Sequence, residues 1–379
     1  MTQSAQDKLR RALAARKADG TLRALKNMDG VDFSSNDYLG LSRVPLEPQS
    51  QCGEGSTGSR LITGHDEKLS ELESYIAGFH GFENALLFSS GYAANAGLMA
   101  CLGTADDVII SDTLIHASSI DGIRLSYAKR ARFLHNDMAD LEAQLIKYSG
   151  AIKGQIFVVA EALYSMDGDT VPLAQMAALC EKYDAALIID EAHSIGIYGE
   201  QGRGLIAQLG LQDKIFAAIY TYGKAPGLQG AVICGSDVLK DYLINFCRTF
   251  IYTTAPSLSM AEITRQAYHR LETADAARAD LTDIIAYFQD KARSITVPSG
   301  TWQQSESPIQ GFLISGNARA KALASYLQGQ GFAIKAILSP TVAQGQERLR
   351  ISLHSFNTHA EIDALMLAIE THLTAEIAA

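Results

Sequence analysis

The sequence predicts an α/β fold, with a large, mostly parallel sheet carrying helices on both faces and a small C-terminal α+β domain. Three observations predict it. Short apolar runs alternate with helical periodicity from about Ala85 onward, the spacing of strand–helix–strand units. A length of 379 residues suits two or three lobes rather than one small domain. After Pro298 the pattern changes, with strands and helices in a new, shorter rhythm.

Taken in order, residues 1–30 read as an amphipathic helix and a connector. ALLF (85–88) precedes a helix that begins near Ser90, VII (108–110) precedes HASSIDGIRL, and ARFL (131–134) precedes ADLEAQLIKY. QIFVVA (155–160) precedes LAQMAALCEKY, and the runs ALIID (186–190), IFAAIY (215–220) and AVIC (231–234) follow. Continuous apolar runs of this kind suit strands buried on both faces. Residues 237–293 are helical in pattern, with a coil break at YTTAPS. GFLIS (311–315), a helix through ARAKALASYLQGQG, FAIKAIL (332–338), RLRISL (348–353) and a helix over 359–374 complete the chain. The expected division is an N-terminal segment over 1–45, a large domain over 46–290 and a small domain over 291–379.

Composition narrows the function. Hydrophobic residues make up 47% and charged residues 20%, the balance of a folded enzyme. Lys plus Arg number 32 against 42 Asp plus Glu, a net charge of −10, which argues against a nucleic-acid partner. No apolar run approaches the roughly 20 residues of a membrane span, and the polar N-terminus has no secretory h-region. The five cysteines, at 52, 101, 180, 234 and 247, form no CxxC, so reduced thiols and a cytoplasmic location are expected. The histidines show no paired-ligand spacing, so no metal is expected.

Several motifs carry chemistry. Gly53, Gly55 and Gly58 spell GxGxxG, but PLEPQSQ before them is no strand, so a dinucleotide fingerprint is not supported. SSGYAAN (89–95) opens a helix after a strand. Ser89 or Ser90 is a suitable cap, Gly91 permits close backbone approach, and the helix start favours an anion such as phosphate. ALIIDEAHSIG (186–196) places Asp190, Glu191 and His193 at the carboxyl end of a strand, where ligands of open α/β sheets bind. A helix-capping Asp with a satisfied His is the plainer reading of that segment. TYGKAPG (221–227) puts Lys224 beyond the next strand end, where a lysine in a crevice can act as a nucleophile. DTLIHASSIDG (112–122) puts His116 at the same sheet edge, as a ring that stacks on a planar group or as an ordinary cap. An acid and an imine-forming lysine at neighbouring strand ends are what pyridoxal 5'-phosphate (PLP) needs.

FSSNDYLGLS (33–42), GSTGSRLITGHDEKLSELE (55–73), SSGYAAN, DTLIHASSIDG, LYSMDGD (163–169), IIDEAHSIG, TYGKAPG, FIYTT (250–254) and RLRISL occur in one order along nearly the whole chain. Together they resemble the α-oxoamine synthases, PLP enzymes of fold type I that condense an amino acid with an acyl thioester and release carbon dioxide. FSSNDYLGLS and FIYTT most resemble the members that join L-alanine to pimeloyl-CoA, or to a pimeloyl-carrier protein, in biotin synthesis.

The resemblance implies that Lys224 holds the cofactor, Asp190 keeps its pyridine nitrogen protonated, and His116 stacks on the ring. It implies that Ser165 and His193 reach the phenolic oxygen and that Gly91, Tyr92 and Thr221 bind phosphate. Thr253 or Thr254 would reach a phosphate from the neighbouring subunit of a homodimer. Arg350 would clamp the amino-acid carboxylate, and Arg23, Asn36 and Thr341 match substrate-contact positions, with His116 also at the substrate. Two other readings stay open: a sister enzyme joining glycine to acetyl-CoA, and a non-catalytic PLP-binding regulatory protein.

Overall fold

A computed structural model describes residues 4–48, 53–295 and 299–378. The chain divides into two units. The larger comprises Asn36–Ser165 and Asp169–Ala279; the smaller comprises residues up to Ser35, the short stretch Met166–Gly168, and the chain from Asp280 onward.

The larger unit is built on seven strands: β1 (Asn84–Phe88), β2 (Val108–Asp112), β3 (Lys129–Phe133), β4 (Ile156–Glu161), β5 (Ala185–Asp190), β6 (Ala217–Thr221) and β7 (Ala231–Gly235). Their order in the sheet is β1-β7-β6-β5-β4-β2-β3. All run parallel except β7, which is antiparallel to both β6 and β1. Strands β2, β4, β6 and β7 are buried along their whole length, as their Val-, Ile- and Ala-rich sequences require. Leu86, Ile109, Val159, Ile188, Ile219 and Ile233 form one core with Leu98 and Met99 of the Gly91–Leu102 helix. The alternation of strand and helix sends each parallel strand's carboxyl end to one sheet edge.

The smaller unit holds an antiparallel sheet of β8 (Thr301–Trp302), β9 (Ile309–Leu313), β10 (Lys335–Ile337) and β11 (Arg348–Ser352), in the order β10-β11-β9-β8. Helices Asn317–Gly329 and His359–Ala378 accompany it. The expected FAIKAIL strand is split in two. Phe332 and Ala333 pair in parallel with Val31 and Asp32, whereas Lys335–Ile337 pairs with β11. Gly30 (φ +109°) and Gly331 (φ +89°) allow the first pairing, because a side chain at Gly30 would strike the Gly331 carbonyl. This pairing puts the N-terminal residues in the same unit as the C-terminal ones. The helix Ala5–Ala18 buries none of its residues, so Leu9 and Leu13 remain exposed.

Met166–Gly168 joins the smaller unit through Arg348. Its guanidinium donates to Asp167 (2.7 Å), to the Met166 carbonyl (3.1 Å) and to Gln303 (3.0 Å). Ser305 donates to the Gly168 carbonyl at 2.7 Å. Among the described residues no helix is long and apolar enough to cross a membrane.

In the larger unit, Glu73 is a fully buried anchor on the Glu67–His80 helix. It accepts from Arg60 (2.5 Å) and from the Leu87 amide (3.0 Å), and Lys240 lies 3.3 Å away. These bonds fix the GSTGSRLITG segment against the start of the sheet. Removing the carboxylate leaves the buried Arg60 cation uncompensated. Glu73→Ala is expected to lower the unfolding free energy by about 3–5 kcal/mol, read from the urea midpoint by circular dichroism.

Candidate active site

Strands β5 and β6 end side by side, and their last residues begin the site. Asp190 closes β5 with 6% of its surface exposed. Its Oδ2 accepts from Asn95 Nδ2 at 2.7 Å and its Oδ1 from the Ala192 amide at 2.9 Å. Each oxygen has two lone pairs, so the carboxylate retains capacity for a further donor. Asn95 also donates to Ser118 at 3.1 Å, which ties the Gly91–Leu102 helix to the Ala117–Leu125 helix behind His116.

Thr221 closes β6, and Lys224 lies one turn beyond, its Nζ 3.2 Å from the Thr221 hydroxyl. Gly91 starts its helix directly against this point. A Cβ at Gly91 would lie 2.5 Å from Thr221 Cγ2, so only glycine lets the helix start come so close to the end of β6. Ser90 caps the helix by accepting from the Ala93 amide at 3.1 Å. The first turn of a helix carries N–H groups without intrahelical acceptors, so a capped helix start beside a threonine hydroxyl and a lysine suits a phosphate.

His116 caps the Ala117–Leu125 helix, with Nδ1 accepting from the Ser118 amide at 3.2 Å. Burial, with Lys224 nearby, holds its pKa below the ordinary value against the opposing pull of Asp190. A neutral ring suits stacking rather than ion pairing. His193 is buried, with its Nδ1 2.7 Å from the Tyr38 hydroxyl, which in turn donates to Asn36 at 3.2 Å. Glu191 plays another part. It accepts from the Leu205 and Ile206 amides at 3.0 and 2.6 Å, and burial pushes its pKa up to about 7. It is a cap for the Leu205–Leu209 helix rather than a member of the cluster.

The structure thus brings Gly91, His116, Asp190, His193, Thr221 and Lys224 to one edge of the large sheet. Ser165 is half-buried in the turn after β4, and Tyr92 is exposed with its hydroxyl donating to Asp121. Thr253 is half-buried and Thr254 exposed, beyond the Arg248–Ile251 helix. Three proposed substrate residues lie in the smaller unit. Arg350 is buried on β11 and donates to Ser352 at 2.8 Å, whereas Arg23 and Thr341 are exposed in loops.

Other members of the site escaped the sequence reading. Glu161 ends β4 opposite Asp190 in the strand register, 5% exposed. Its Oε1 is buried without a hydrogen-bond partner. Burial, then the charge of Asp190, raises its pKa well above the carboxylate range, so Glu161 keeps its proton. The available signal was an apolar strand ending in an acid, the same signal that marked Asp190. Asn95 and Tyr38 lay inside quoted motifs but gave no indication of their partners.

His135 supports the turn that carries Ser165. Its ring lies between Asp112 (3.0 Å to Nδ1) and Asp169 (2.9 Å to Nε2), and Asn136 donates to Asp169 at 2.7 Å. Burial alone would lower the His135 pKa, but the two carboxylates outweigh it and hold it at about 10. A raised folded-state pKa stabilises the fold fully below the unfolded value near 6.5, and that contribution disappears as pH rises through about 10. His135→Gln is expected to cost about 1.5–3 kcal/mol at pH 7. The parent's melting midpoint should fall from pH 7 to 10 by loss of this contribution, and the variant should flatten that fall, measured by calorimetry.

Residues 28–369 match the family model described as "Aminotransferase class I and II". The 8-amino-7-oxononanoate synthase of Marinobacter nauticus is 40% identical over 346 residues, covering 89% of this chain and 86% of that protein. The solved 8-amino-7-oxononanoate synthase of Francisella tularensis is 30% identical with a TM-score of 0.76, covering 92% of this chain and 99% of that one. A serine palmitoyltransferase of S. paucimobilis, solved with a PLP–myriocin adduct, is 25% identical with a TM-score of 0.86, covering 97% of each chain.

Proposed function

For a chain that belongs to the class I and II aminotransferase family, we propose the activity of an 8-amino-7-oxononanoate synthase. The reaction joins L-alanine to a pimeloyl thioester, releasing carbon dioxide and coenzyme A or its carrier-protein equivalent. The observation that carries this reading is the convergence of Asp190, Lys224, His116 and the Gly91 helix start on one sheet edge.

The residues fit PLP. The Gly91–Thr221 approach makes a cradle that a side chain would fill, and Asp190 has unused acceptor capacity in a buried setting. When bound, PLP supplies an aldehyde that captures amino groups and a pyridinium ring that withdraws electrons from the substrate α-carbon.

The chain's own residues then have distinct tasks. Asp190, fixed by Asn95 and the Ala192 amide, holds a proton on the pyridine nitrogen. Glu161, by staying neutral, spares that position a second negative charge. The His116 ring would pack against the cofactor ring. Ser165 and His193 address the phenolic oxygen, with Tyr38 orienting the His193 ring. The helix start at Gly91 and Tyr92, with Thr221, receives the phosphate. Lys224 would hold the cofactor through its amine, and that amine is the base placed to take the substrate α-proton. Arg350 binds the amino-acid carboxylate through its planar fork. Arg23, Asn36 and Thr341 contact substrate. The working form on this reading is a cytoplasmic homodimer, with Thr253 or Thr254 reaching the partner subunit's phosphate.

The decisive experiment is a substrate panel with purified, PLP-loaded protein. Turnover of L-alanine with pimeloyl-CoA or a pimeloyl-carrier protein supports the reading. Exclusive turnover of glycine with acetyl-CoA assigns the sister reaction, and inactivity together with a silent cofactor spectrum indicates a regulatory protein. Lys224→Ala is expected to abolish turnover while retaining non-covalent cofactor. Borohydride reduction of the parent followed by peptide mapping should place the cofactor on Lys224.

Arg350→Lys should weaken L-alanine binding by roughly 2–5 kcal/mol, because an ammonium cannot reproduce a desolvated bidentate fork. The acyl donor's apparent affinity should change much less. Spectroscopic titration of parent and variant with L-alanine reads the difference.

A further inference from the structure

Outside the site, the far end of the Gly91–Leu102 helix carries a pair of thiols. Cys101 is partly exposed in the helix's last turn, and Cys247 is fully buried just before the Arg248–Ile251 helix. The two helices pack through one face of the first. Thr249 donates to the Ala93 carbonyl at 2.7 Å, and a Cβ at Gly97 would lie 2.6 Å from the Cys247 sulfur. Cys101 follows Gly97 by one turn on that face, and Tyr242 fixes its backbone by donating to the Cys101 carbonyl at 2.7 Å. The Cys101 thiol donates to the Leu98 carbonyl at 3.5 Å, and the Cys247 sulfur lies 3.4 Å from the Thr249 hydroxyl.

We propose that Cys101 and Cys247 form a reversible intrachain disulfide by exchange with low-molecular-weight disulfides of the glutathione type. The inference does not rest on the reaction proposed above.

The placement of the two sulfurs suits this chemistry. The donors around Cys247, Cys101 foremost, bring its pKa down to about 7, while the Cys101 thiol is pushed up. Cys101, the partly exposed residue of the two, gives up its proton, and its sulfur attacks one sulfur of the small disulfide. That S–S bond breaks, and one small thiol leaves with the proton lost by Cys101. Cys247 then gives up its proton and attacks the Cys101 sulfur. The mixed disulfide breaks, and the second small thiol leaves. Two protein thiols lose two electrons and two protons, and one small disulfide becomes two thiols.

The test uses the full-length protein, equilibrated with oxidised glutathione and then quenched by acid. Intact mass should fall by two hydrogen atoms, and peptide mapping should join the Cys101 and Cys247 peptides. Dithiothreitol should restore both thiols. Cys52→Ser should keep the bridge, whereas Cys101→Ser should lose it. A folded parent that retains all its thiols, holds glutathione on Cys101 without resolving it, or bridges another pair overturns the proposal. Circular dichroism of each sample establishes that the fold is intact, and the parent result stands whether or not a variant folds.

Discussion

A carboxylate buried at the end of a central strand is costly unless its charge is compensated and its oxygens are hydrogen-bonded. Within the chain Asp190 meets the second condition, and much of the larger unit is arranged around doing so. Asn95 reaches it from the neighbouring helix, the Ala192 amide from its own turn, and Lys224 and His116 share its electrostatic surroundings. Glu161, across the register, stays protonated because burial and Asp190 oppose a second charge. The same helix that supplies Asn95 begins at Gly91 against Thr221. Its position is therefore fixed at two points, which sets the distance between the pyridine and phosphate ends of the proposed cofactor site.

Support for this arrangement comes from ion clusters set back from the edge. His135 between Asp112 and Asp169 secures the turn after β4, and Arg60 with Glu73 secures the glycine-rich segment before the Glu67–His80 helix. The His135 cluster joins segments 23 and 34 residues apart, whereas Arg60 and Glu73 are 13 residues apart. They make the loops at the sheet edge parts of a rigid frame, as a preorganised site requires.

What was legible in the sequence follows from locality. Asp190, Lys224 and His116 stand out because each directly follows an apolar run and lies near a glycine or a capping residue. Gly91 stands out because a strand-to-helix turn announces it. Asn95, Glu161, Tyr38 and His135 act through partners on other strands or helices, and no spacing rule links them to those partners. The pairing of Val31 with Phe332 was equally hidden, because it depends on the close approach of Gly30 and Gly331. An apolar pattern finds strands but does not say where one run divides between two sheets, as FAIKAIL does.

The antiparallel strand β7 bears on how the chain is made. Its insertion next to β1 leaves β1 with no other neighbour in the sheet. During synthesis, residues 84–88 therefore leave the ribosome well before residues 231–235, their pairing partner. Until then the strand leading to the Gly91 helix has an unpaired edge, the kind of surface that invites wrong association. The pairing of the strand that leads into the Gly91 helix is consequently among the later contacts of this sheet to form. Truncated chains ending before β7 would carry most of the motifs and none of the completed edge.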